Sequence, residues 1–270
     1  MRRVHLFELH DRPWFPAVWR DLLTDYLSFY SRVFRPYRRV AALLSETLEA
    51  AGERRIVDLC SGAGAAILSL RRGLEQSGVG GLSITLTDKY PNLAAWRRAA
   101  ADGGGAVEYV SEPVDATAVP RHLKGVRTLF TSLHHFRPDE ARALLSDAAA
   151  SGDGIGAFEY TERNWLVWGV PVLLIPLFVW ITTPFMRPFS WRRLLWTYLV
   201  PVVPLVAAWD GLVSNLRTYS VEELESIVRS LPDQGLAWQV GRVQSLGWSR
   251  VTFVVGRPAD AASGSPVERP

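Results

Sequence analysis

Between residues 53 and 163 the sequence alternates short apolar runs with helix-forming stretches. No other feature constrains the fold as much. Residues 56–59, 82–87, 107–110, 126–133 and 155–160 read as strands, and 63–74, 91–101 and 138–150 as the helices between them, with Pro91 at the first helical position. Strands that alternate with helices build a parallel sheet covered on both faces. Ahead of this block, residues 14–51 read as two helices parted at Pro36 and closed by Gly52. Behind it, residues 221–230 read as a helix with Ser220 at its N-cap and Glu223 completing a capping box, and 236–244 and 250–255 read as two last strands. The expected fold is α/β, with a doubly wound, mainly parallel seven-stranded sheet.

The composition supports a globular chain. Of 270 residues 48% are hydrophobic and 21% charged, which excludes a disordered, collagen-like or disulfide-stapled protein. Cys60 is the only cysteine, so no internal disulfide forms, which fits a reducing compartment. The net charge is +3 with no long basic tract, so nucleic acid is not an expected partner. The N-terminus lacks the apolar run of a secretory signal.

The strongest chemical signal is Ile56-Val57-Asp58-Leu59-Cys60-Ser61-Gly62-Ala63-Gly64-Ala65, a strand that enters a small-residue turn and then a helix. Gly62 and Gly64 allow a tight turn and a close backbone approach to a ligand, and the free N–H groups of a helix start favour polar or anionic atoms. Asp88, in Thr87-Asp88-Lys89 after the second strand, stands where an acid can accept from two ribose hydroxyls. Asp115, in Val114-Asp115-Ala116 after the third strand, can accept from an adenine amino group. A plain turn, an N-cap and a solvated acid are the bland alternatives for these three features.

Together these residues resemble the class I S-adenosylmethionine-dependent methyltransferases. Asp58, Gly62 and Gly64 match that family's first motif, with Cys60 in place of its first glycine. The match continues through Asp88, Asp115 and the strand ending Thr131-Ser132-Leu133-His134-His135-Phe136, and covers residues 53–163 and 210–257. The resemblance implies a Rossmann-like methyltransferase fold and S-adenosyl-L-methionine as cofactor, held by Asp58, Cys60, Ser61, Gly62, Gly64, Asp88, Lys89, Asp115, Ala116 and Ser132. A nicotinamide dinucleotide is the competing cofactor, but its Gly-x-Gly-x-x-Gly pattern is not met, because Ile67 stands three residues after Gly64.

Residues 164–209 interrupt this pattern. Residues 164–186 and 194–209 carry no charge, and six of the 11 tryptophans (Trp165, Trp168, Trp180, Trp191, Trp196 and Trp209) fall here. Six prolines and the arginine-bearing link Arg187–Arg193 argue against two plain spans. The expectation is a helical hairpin that enters one membrane leaflet and returns, with tryptophans at headgroup level and arginines on lipid phosphates, which places the chain on the cytoplasmic face of a membrane. The alternative is a cytoplasmic protein in which the segment is a buried cap or the core of a homodimer.

The expected organisation is thus an N-terminal helical cap at 1–52, the cofactor domain at 53–163 and 210–257, the apolar insertion at 164–209 and a disordered tail at 258–270. His134 and His135 are candidate bases or positioning groups at the carboxyl edge of the sheet. Glu159 is a candidate substrate contact, and Arg217 and Tyr219 are candidates to hold an anionic or phenolic group. His5, His10 and His122 are scattered, and no metal-ligand spacing is seen. The expected reaction is methyl transfer to a hydrophobic or lipid-like acceptor, at oxygen. A non-catalytic membrane-associated module is the reading from another class.

Overall fold

The computed structural model describes residues 2–76, 78–233 and 235–259, and of residues 165–171 the backbone alone. The N-terminal segment to Pro16 has no regular structure and is followed by α1 (Ala17–Phe34) and α2 (Ala41–Ala50). The alternating block then gives β1 (Arg55–Leu59), α3 (Ala65–Gln76), β2 (Ser83–Leu86), α4 (Leu93–Gly103), β3 (Val107–Tyr109), β4 (Val126–Phe130), α5 (Pro138–Ser151) and β5 (Ile155–Glu159). The apolar segment forms α6 (Trp165–Thr182), the short α7 (Trp191–Leu194) running into a wide turn at Leu195–Leu199, and α8 (Val202–Arg217). Helix α9 (Val221–Arg229) and the hairpin of β6 (Leu236–Gln244) and β7 (Arg250–Pro258) close the fold.

One seven-stranded sheet runs β3-β2-β1-β4-β5-β7-β6. Strands β1 to β5 are parallel and β7 joins β5 antiparallel. The order reverses between β1 and β4, so the carboxyl ends of these strands open a crevice, the usual ligand site of open α/β sheets. The strands read as continuous apolar runs because both faces are covered. One core packs α2, α3 and α4 on the sheet and another packs α5 and α9 on its opposite face.

Several boundaries differ from the sequence pattern. Pro91 lies outside α4, whose N-cap is Asn92, since the Asn92 side chain accepts from Ala95 N at 3.1 Å and so satisfies a free helix-start donor. The fourth strand ends at Phe130, because Leu133–His135 curl into a 3₁₀ turn. Residues 2–16 are not helical and lie as a strap across the later chain. Pro258 belongs to β7, whereas residues 260–270 of the expected tail lie outside the described residues.

The insertion is a cap with one covered face. Val179, Met186, Val203, Val206 and Ala207 pack on Phe15, Leu22, Leu23 and Tyr26 of the N-terminal region. This packing covers Val172 and Val179 of α6 and leaves Leu173, Leu177 and Ile181 bare. Among the described residues no single helix is long and apolar enough to cross a membrane, and Trp191–Leu199 and Val202–Arg217 reach that composition only as a pair bent by 75°. The C-terminal half of α8 carries the buried Asp210 and Arg217, which a bilayer core would not accommodate.

Gly64 shows how tightly the first turn is set. Its φ is +78°, and an added Cβ would stand 2.9 Å from Leu86 Cδ1. Gly64→Ala is therefore expected to lower stability by about 1 kcal/mol or more, read as a lower urea midpoint with unchanged slope.

Candidate active site

The turn after β1 is stitched to the end of β2. Ser61 N donates to Thr87 O and Thr87 N to Asp58 O, each at 2.9 Å. Cys60, Gly62 and Gly64 all take positive φ, at +53°, +55° and +78°. Cys60 thus adopts at a cost of about 1–2 kcal/mol the left-handed conformation a glycine adopts freely. Burial pushes its thiol well up, so it stays protonated.

Asp88 spans the turn. Its Oδ2 accepts from Gly62 N at 2.8 Å and its Oδ1 from Tyr90 N at 2.9 Å, which leaves each oxygen a further lone pair. Burial raises its carboxyl group even so. Asp115 accepts from Thr117 Oγ1 at 2.7 Å and Thr117 N at 2.9 Å, and these bonds hold it below the usual carboxylate range. Cys60, Ser61, Gly62, Asp88, Lys89, Asp115, Ala116 and Ser132 line one cavity of about 610 Å³. Asp58 and Gly64 do not line it. Asp58 is buried under the turn, pushed up to about 7 by burial, and accepts from Thr128 Oγ1 at 2.6 Å. Ser132 Oγ donates to Phe130 O at 3.0 Å.

The two adjacent histidines differ sharply. His134 is 1% exposed, with Nδ1 at 2.7 Å from Glu159 and Nε2 at 3.3 Å from Glu8. Burial alone would push its pKa down, but Glu159 and Glu8 outweigh that and hold it up at about 9. His135 is 22% exposed, lines the cavity, and has Nδ1 at 3.0 Å from the Asp11 carboxylate. Glu159 is buried, bonded to His134 and to Leu133 N at 2.6 Å, so it braces the turn and is not placed to contact a substrate. Arg217 is likewise spent inside, donating to Glu8 at 3.1 Å, Asp11 at 2.9 Å and His135 O at 2.7 Å. Buried Tyr219 donates to Phe136 O at 2.7 Å. Neither side chain is free to hold an anionic or phenolic group.

Sequence reasoning missed Glu8, His10 and Asp11. Asp210 accepts from Leu9 N at 2.7 Å and holds His10 Nδ1 at 2.8 Å. Burial again works against the His10 proton, but Asp210, Glu8 and Asp11 raise its pKa to about 9. His10 therefore does not belong with the scattered histidines. Glu8, His10 and His135 offer ligand atoms within 4.8 Å of one another, a grouping that the sequence spacing did not suggest. The Arg217 guanidinium already bridges Glu8 and Asp11, and the raised His10 imidazole sits on Asp210, so these groups supply positive charge there without a metal ion. The sequence signal was a run of polar residues, Glu8, His10, Asp11 and Arg12, among the apolar residues from Leu6 to Phe15.

No family model matches the chain, and no curated protein matches it. Solved structures do. An O-methyltransferase family protein from Burkholderia thailandensis superposes with a TM-score of 0.50 at 22% identity, over 91% of this chain and 60% of that one. Human N-acetylserotonin methyltransferase, in complex with S-adenosylmethionine, gives 0.50 at 14% identity over 88% and 55%. The chain thus spans little more than half the length of these structures. The fold is that of the class I S-adenosylmethionine-dependent methyltransferases.

His10 and His134 are both raised above the ordinary imidazole value, so each binds more protons folded than unfolded. Their stabilisation is full below about pH 6.5 and is lost as pH rises through about 9. The urea midpoint of the wild type is expected to fall between neutral pH and about pH 10, and that of His134→Gln to fall less steeply over the same range.

Proposed function

We propose that this protein transfers a methyl group from S-adenosylmethionine to an oxygen of a hydrophobic, lipid-like acceptor at a membrane surface. The observation that carries the reading is that one cavity joins two unlike halves. One half is the Cys60–Gly62 turn with Asp88 and Asp115, and the other is walled by Leu23, Tyr26, Val172, Ile175 and Ala207. His135 lies among the residues that line this same cavity.

The residues fit the cofactor. Asp88 offers two lone pairs to ribose hydroxyls, Asp115 accepts from an amino group, and the positive-φ turn lets backbone approach closely. S-adenosylmethionine supplies an electrophilic methyl group on its sulfonium. The protein contributes position within a walled cavity. Asp11 takes Nδ1 of His135, which leaves Nε2 to accept the acceptor's hydroxyl proton.

The outer face of the cap supports the membrane reading. Trp191 and Leu199 are 76% and 77% exposed, beside bare Leu173, Leu177, Ile181, Phe185 and Phe189. A contiguous bare apolar face of this kind marks a contact surface. Exposed Arg187 and Arg192 flank it. Arg193 is not available to lipid phosphate, because it is buried on Asp25 at 2.8 Å. The side chains of Trp165 and Trp168 lie outside the described residues. A second copy of the chain covering the same face is the alternative occupant.

Two measurements test this. Calorimetric titration should show S-adenosylhomocysteine binding the wild type and about tenfold or more weaker binding to Asp88→Ala. A folded wild type that binds none would sink the cofactor reading and favour a non-catalytic module. The protein should sediment with phosphatidylglycerol vesicles, and Trp191→Ser with Leu199→Ser should weaken this by about tenfold or more. A dimer in solution that ignores vesicles would transfer the face to self-association.

A further inference from the structure

The strap of residues 2–16 makes few backbone contacts of its own and yet is fastened at many points. Arg3 donates to Arg217 O, to His134 O at 3.1 Å and to Phe136 O at 2.8 Å, and its guanidinium lies 4.0 Å over the Tyr219 ring. Val4 N donates to Leu216 O at 3.1 Å and Trp209 Nε1 to Phe7 O at 3.1 Å. Asp210 receives the Leu9 and His10 N–H groups at 2.7 and 3.3 Å. These fastenings place Asp11 between Arg217 and His135, with Tyr90 OH donating to its carbonyl at 3.3 Å.

Charge burial explains why the strap is held this way. Glu8 is buried, and burial alone would discharge it, but Arg217, His134 and Ser214 surround its carboxylate. A buried carboxylate stripped of such partners costs several kcal/mol. The strap therefore docks in one register, fixed by Glu8 and Asp210. Asp11 follows three residues after Glu8 and meets His135 there.

We propose that Asp11 is the positioning residue of the active site: the docked strap brings its carboxylate to His135 Nδ1, fixes that imidazole as the Nδ1–H tautomer, and so leaves Nε2 unprotonated for the acceptor. The site is complete only with the strap in place. This rests on the reading of His135 as proton acceptor. A fixed tautomer matters because an imidazole with its proton on the wrong nitrogen cannot take another from the substrate. Arg217 serves the same end, since its two ends bind Asp11 and the His135 carbonyl.

The test uses the full chain carrying ¹⁵N-histidine, with long-range ¹H–¹⁵N spectra recorded at about pH 8.5, where an ordinary imidazole is neutral. The His135 signals are identified by their loss in His135→Gln. The wild type should show His135 protonated at Nδ1. Asp11→Ala should shift that pattern toward Nε2–H, and Asp11→Glu should restore it. S-adenosylhomocysteine affinity in Asp11→Ala should stay within about threefold, which a merely structural collapse would not allow. An Nε2–H pattern in the wild type, or an unchanged Nδ1–H pattern in Asp11→Ala, would overturn the proposal. Loss of cofactor binding in the wild type would instead overturn the functional reading, with the tautomer result still legible.

Discussion

The pairing of Arg217 with Glu8 is the contact on which the rest of the site depends. It is almost wholly enclosed, with both Arg217 and Glu8 buried. Breaking a buried pair by removing one partner costs about 3–5 kcal/mol, because the other charge is left without compensation. Here the guanidinium also binds the His135 carbonyl, and Glu8 also faces His134. One interaction therefore fixes three remote pieces of chain: the strap, the end of α8 and the turn after β4. The cofactor cradle lies beside this junction and draws on it through a shared cavity.

This explains the role of the insertion. Its last helix, α8, begins apolar and ends with Asp210, Ser214 and Arg217 turned into the site. The same helix thus contributes the apolar cap at one end and the charged anchor at the other. The strap runs along α8 and is secured to it, so the cap and the strap position each other. The outer face of the cap takes no part in this arrangement and is left bare, which is why we propose a lipid surface for it.

The sheet was legible because each of its strands is a short apolar run bounded by turn residues, and the capping box of α9 was legible from Ser220 and Glu223 alone. The glycine turn was also legible, although the conformation of Cys60 was not, since nothing local marks a cysteine at positive φ. Residues 131–133 read as strand because apolar content does not separate the end of a strand from a turn. The two histidines could not be ranked from sequence, because the difference lies in Glu8 and Asp11, more than a hundred residues away and in a segment without periodicity. Helix α6 read as uncharged and almost wholly apolar, which is true of its composition. Its composition carries no information on which face α1 and α8 cover.

The central claim is that the Cys60–Gly62 turn, Asp88 and His135 serve one bound cofactor. The most direct measurement is a crystal structure of the full chain soaked with S-adenosylhomocysteine. The account predicts ribose hydroxyls on Asp88, the adenine beside Asp115 and the homocysteine sulfur turned toward His135. S-adenosylhomocysteine bound away from the turn, or with its sulfur remote from His135, would contradict it.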